Sequence, residues 1–69
     1  MISYKPFWST LSKSTETTYS LIKKHNISSS TIDKLRKDKP LNTKSIDELC
    51  SIFQCQFSDI AEYIPNNTT

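Results

Sequence analysis

The 69-residue chain has no glycine, one histidine, two cysteines and no apolar run longer than two residues. Each shortage excludes something. Without a long apolar run there is neither a membrane-spanning helix nor a signal-peptide core, so the expected location is the cytoplasm, with no membrane partner. There the N-x-S/T triplets at Asn26, Asn66 and Asn67 carry no meaning for glycosylation. Two thiols and one imidazole do not complete a four-ligand zinc site, and the spacing of Cys50 and Cys55 fits no common finger or redox pair. Cys50 reads as a small core residue on an apolar helix face and Cys55 as part of the following turn, both as reduced thiols. His25 has no visible catalytic partner, and Asp47, Glu48, Asp59 and Glu62 read as exposed helix charges rather than a paired acid and base. No catalytic residue, metal or cofactor is expected. With no glycine, a left-handed turn falls best on asparagine, the next best residue for it.

What is present is an uneven charge. Seven of the nine basic residues, Lys23, Lys24, Lys34, Arg36, Lys37, Lys39 and Lys44, fall between Thr17 and Lys44, against Asp33 and Asp38. That segment carries about +5 and the remainder about −3, so the net +2 conceals a basic lobe. Such a lobe on a small domain is a footprint for a polyanion. The length fits one domain, expected over residues 1–65 with a frayed tail at 66–69, and a core too small to enclose an ordinary active site.

Apolar spacing predicts five helices and no strand. Tyr4, Phe7, Trp8 and Leu11 fall at i, i+3, i+4, i+7, with Ser3 as a candidate cap and Pro6 inside the first turn. Thr17 caps a second helix that contains Leu21 and Ile22 and ends at His25, a partly buried helix-end residue. Asn26 supplies the left-handed turn, Ile27 plugs it, and Ser28 caps a third helix with Ile32 and Leu35 inward. After the loop 37–42, a fourth helix starting at Asn42 or Thr43 carries Ile46, Leu49, Cys50 and Phe53 on one face. Phe57, Ile60, Ala61 and Ile64 repeat the spacing in a short fifth helix stopped by Pro65. Phe7, Trp8, Phe53 and Phe57 are read as core rather than as base-stacking platforms.

The second and third helices satisfy the demands of a helix-turn-helix. Leu21, Ile27, Ile32 and Leu35 lock the pair, while Ser29, Ser30, Asp33 and Lys34 point outward from a recognition helix spanning about 28–37. In that geometry the second helix presents its N-terminal residues to the major groove. Phosphate contacts are expected from Thr17 and Thr18 at a helix N-terminus and from the cations after the recognition helix.

With its strings NISSSTIDKL, SIDELCSIF and DIAEYIP, the chain resembles the Cro/repressor-type (XRE-like) helix-turn-helix DNA-binding family, in its compact single-domain branch, over roughly residues 3–65. The resemblance implies an all-α, compact five-helix bundle of lambda-repressor type. It implies base contacts from Thr18, Ser29, Ser30 and Lys34, and phosphate contacts from Thr17, Lys37, Thr43 and Lys44. Ser28, Asp33 and Lys39 complete the expected DNA-binding set. The sequence departs from the family pattern at Ile22 (usually small), His25 (usually apolar), Asn26 (usually glycine) and in the longer loop 14–16.

The expected function is sequence-specific DNA binding by a transcriptional regulator, a repressor from a phage or mobile element. One recognition helix touches only about four or five base pairs, so a homodimer on an inverted repeat, formed weakly in solution or only on DNA, is expected. Phe57, Tyr63 and Ile64 are the apolar candidates for that contact. The rival is a protein-interaction module on the same fold: an antitoxin, an antirepressor or an inhibitor of a host protein. An enzyme finds no support.

Overall fold

A computed structural model describes residues 1–65. The order is β1 (Ile2–Ser3), α1 (Lys5–Ser12), α2 (Thr18–His25), α3 (Ser29–Arg36), α4 (Thr43–Phe53), a 3-10 turn (Phe57–Asp59) and β2 (Glu62–Tyr63). The expected tail at 66–69 lies outside the described residues.

The central helices begin where their sequence says. Thr17 Oγ1 accepts from the Ser20 N–H at 3.1 Å while Ser20 Oγ accepts from the Thr17 N–H at 2.8 Å, a reciprocal capping box. Ser28 and Asn42 cap α3 and α4 in the same local way, accepting from Thr31 N–H at 3.2 Å and Ser45 N–H at 2.8 Å. Asn26 adopts the left-handed conformation at φ 59°, ψ 29°, and Ile27 then donates its N–H back to the Leu21 carbonyl at 3.0 Å. Gln54 closes α4 likewise at φ 52°, ψ 50°.

The five-helix, strand-free expectation is corrected at both ends. Four α-helices are present among the described residues, and residues 57–64 form a 3-10 turn followed by a strand. β1 and β2 pair antiparallel, Ile2 opposite Tyr63 and Ser3 opposite Glu62. Ser3 is therefore a strand residue. Tyr4 occupies the N-cap of α1 without a side-chain cap, and Ser3 Oγ accepts only from the Lys5 N–H, at 3.3 Å. The remaining N–H groups at this helix start find distant partners: Phe7 donates to the Ile60 carbonyl at 3.1 Å, and Pro6 has none to satisfy. That demand explains why 57–64 does not complete a helix. The Ile60 carbonyl serves α1 and the Asp59 carbonyl accepts from Thr10 Oγ1 at 2.8 Å.

The core comprises Tyr4, Phe7, Leu21, Ile27, Ile32, Leu35, Leu49, Ile60 and Ala61. All four residues assigned to the helix-turn-helix lock lie in it. Trp8 and Phe53 are half-buried and meet Phe7 edge-on, at 4.8 and 6.1 Å between ring centroids. Ile22 packs half-buried against the core. Phe57 and Ile64, expected inside, are 57% and 44% exposed, because the turn at 57–59 directs only Ile60 and Ala61 inward. Cys50 and Cys55 are free and half-buried, and burial pushes the Cys55 thiol up to about 11.

Candidate nucleic-acid interface

The core-facing residues of α2 and α3 fix which residues remain outside. Ile32 and Leu35 turn inward, and Ser29, Ser30, Asp33 and Lys34 are all exposed. Ser28 Oγ lies 3.1 Å from Ser30 Oγ and 2.9 Å from Thr31 Oγ1, so the hydroxyl run forms a linked cluster at the start of α3. Ser28 is spent on the cap; Ser29 and Ser30 keep acceptor and donor capacity toward solvent. Both occupy the first turn, where backbone N–H groups lack intrahelical partners.

Thr17 is exposed but its hydroxyl belongs to the capping box, and Thr18, the first residue of α2, is half-buried. Thr43 and Lys44 open α4 and are exposed, as is Lys39. Among the described residues Lys34, Lys39 and Lys44 form no salt bridge. Lys37 does: its Nζ lies 3.2 Å from Asp33 Oδ2, with both side chains more than half exposed. An exposed i,i+4 pair of this kind contributes only about 0.3–0.5 kcal/mol, so a phosphate can take the lysine from it. Asp33 thus engages Lys37 in the free protein.

Beside α2 lies a polar contact that spacing alone did not reveal. Ser20 Oγ donates to Glu16 Oε1 at 2.7 Å, and this bond holds the Glu16 carboxyl below its ordinary value. His25 is partly buried at the helix end, with its Nε2 3.5 Å from the same oxygen, within ion-pairing range but not aligned as a hydrogen bond. The longer loop 14–16 is what carries Glu16 there, and Ser14 Oγ steadies it by accepting the Glu16 N–H at 3.0 Å.

Two other positions also escaped the sequence reading. Tyr4 and Asp38 join the start of α1 to the loop after α3: Tyr4 N–H donates to Asp38 Oδ1 at 2.9 Å and its hydroxyl donates to the Lys39 carbonyl at 2.7 Å. Asp38 stands at φ 53°, a conformation asparagine and aspartate tolerate better than other non-glycine residues, and that was the one local signal available. Arg36 lies over the Trp8 ring at 6.0 Å, within cation–π range.

Residues 8–66 match the Cro/C1-type HTH DNA-binding domain, and the chain belongs to that family. It is a helix-turn-helix DNA-binding domain, and its partner class is double-stranded DNA. No curated protein and no solved structure matches it significantly. Among the described residues, no three His, Cys, Asp or Glu side chains are grouped to hold a metal ion, and no helix is long and apolar enough to cross a membrane.

Proposed function

We propose that the chain is a sequence-specific transcriptional repressor of a phage or mobile element, acting by steric occupation of an operator. The observation that carries this is the exposed face of α3, with Ser29, Ser30, Asp33 and Lys34 outward on a helix locked to α2 by buried Ile27, Ile32 and Leu35. Serine hydroxyls both donate and accept and so read bases loosely, while Lys34 reaches guanine O6 and N7. Thr18 adds to base reading. Thr17, Lys37, Lys39, Thr43 and Lys44 hold phosphates and set the register, and Ser28 caps the helix that reads the bases.

The repressor binds as a homodimer on an inverted repeat with half-sites about 34 Å apart. Support comes from exposed apolar side chains outside α3: Phe57, Tyr63 and Ile64 are exposed at 57%, 69% and 44%. Acidic Asp59 and Glu62 stand among them. The deciding experiment is protection of DNA upstream of the protein's own gene by the purified chain. Protection of an inverted repeat with two chains bound supports the reading; a one-to-one complex on a full palindrome removes the dimer.

One observation favours the protein-partner reading. Exposed Phe57 borders a groove of about 330 Å³ with Thr43, Ile46, Asp47 and Cys50. A tight protein complex accompanied by weak, sequence-indifferent DNA binding would select that reading.

A further inference from the structure

Tyr4 has no exposed surface, yet both of its donor groups, the N–H and the phenol, are directed at the loop that leaves α3. That loop has little to hold it otherwise. Its own backbone supplies Lys37 N–H to Asp33 carbonyl at 3.0 Å and Lys39 N–H to Lys34 carbonyl at 2.9 Å, and Pro40 follows with no N–H to give. The left-handed turn at Asp38 is disfavoured for a residue with a Cβ. The bond from Tyr4 N–H to the Asp38 carboxylate offsets that, and the phenol fixes the next carbonyl. There is an electrostatic side as well. Asp38 is the one acid among Arg36, Lys37 and Lys39, and one of its oxygens is engaged with the start of α1.

We infer that Tyr4, through its phenol on the Lys39 carbonyl and its N–H on the Asp38 carboxylate, is a positioning residue that aims Lys37 and Lys39 at DNA phosphates. The inference rests on the DNA-binding reading above. It makes an α1 residue outside the helix-turn-helix responsible for part of the salt-dependent affinity, without a contact to DNA of its own.

The test uses the whole chain, a labelled duplex of random sequence and a series of salt concentrations, with thermal melting measured alongside. Tyr4→Phe removes the phenol bond; Asp38→Ala removes the carboxylate and the tolerance for the left-handed turn. Each is expected to lower the salt slope by about 0.9, the value of one phosphate contact, and so to weaken binding about fivefold near 0.15 M salt. Asp38→Asn keeps an acceptor and the turn while removing a negative charge, and is expected to retain the parent's slope with affinity at or above the parent's. If Tyr4→Phe melts lower but keeps the parent's slope and affinity, Tyr4 only holds the fold and the inference is overturned. Should Tyr4→Phe fail to fold, a folded Asp38→Ala with the parent's slope overturns it equally. A parent chain without salt-dependent DNA binding fails earlier: that result refutes the DNA reading, and the inference with it.

Discussion

The α2–turn–α3 pair closes its helix ends with near neighbours: Thr17 with Ser20, Asn26 with Leu21, Ser28 with Thr31. The terminal region is held by partners from across the chain: Phe7 and Tyr4 at the start of α1 pair with Ile60 and Asp38, Thr10 with Asp59, and Met1 with Ile64. The first region carries the proposed base-reading face and the second holds the frame around it. A helix end closed by its own neighbours keeps its geometry wherever the helix is docked. One closed by distant partners exists only when the whole chain is folded. On the proposed reading, the surface offered to DNA is thus built on the locally determined half, and the loop carrying Lys37 and Lys39 is tied to the other.

The largest expected effect comes from the core between the two regions. Ile32 is 3% exposed, and Ile32→Ala should cost about 2–4 kcal/mol, a large share of what a domain this small commands. Chemical denaturation measures it. A variant within a few tenths of the parent would mean that the helix pair does not depend on this core.

Next is a change confined to the exposed face. On the proposed reading, Lys34→Ala loses about 1–3 kcal/mol on the cognate site and little on random DNA. Equal losses on both, measured by titration, demote Lys34 to a phosphate contact. The third test sets the two regions against each other. Thr17→Ala removes a working local cap and should cost about 1 kcal/mol, whereas Ser3→Ala, at a helix start without a side-chain cap, should cost only a few tenths. Equal losses in paired thermal melts would erase the contrast.

Lys44→Ala should leave melting unchanged and lower the salt slope on any duplex by about 0.9. An unchanged slope removes Lys44 from the phosphate set. The smallest effect concerns pH. The Ser20 hydroxyl lowers the Glu16 pKa below 4.5, so its stabilisation is present above that pH and is lost as pH falls through the lower folded value. Ser20→Ala should therefore lose less stability than the parent between neutral pH and pH 3. Identical acid limbs in denaturation at several pH values would show that the bond to Glu16 adds nothing.

Much of the helix-turn-helix is legible in the sequence because its signals are short-range. The Thr17 cap, the asparagine turn and the Ser28 cap all lie where residue type and apolar spacing place them, and the four lock residues are buried as their period requires. The segment 57–64 misleads for the same reason. Phe57, Ile60, Ala61 and Ile64 have helical spacing, yet Phe57 and Ile64 face solvent. Periodicity reports what a segment could bury as a helix; it carries no information on the Phe7 N–H and Thr10 hydroxyl of α1 that claim its carbonyls. Ser3 misleads likewise, since a serine before a helical pattern reads as a cap until a strand partner is known.

By itself the sequence determined the four α-helices, the left-handed turn between α2 and α3 and the concentration of positive charge around them. These follow from side chains acting within a few residues of one another. Tertiary structure alone decided the strand pair that joins the two ends, the conversion of the last helical pattern into a 3-10 turn and a strand, and the Tyr4–Asp38 link. Each depends on hydrogen-bonding groups left unpaired in one segment and matched by another some 34 to 63 residues away, and no local pattern encodes that match.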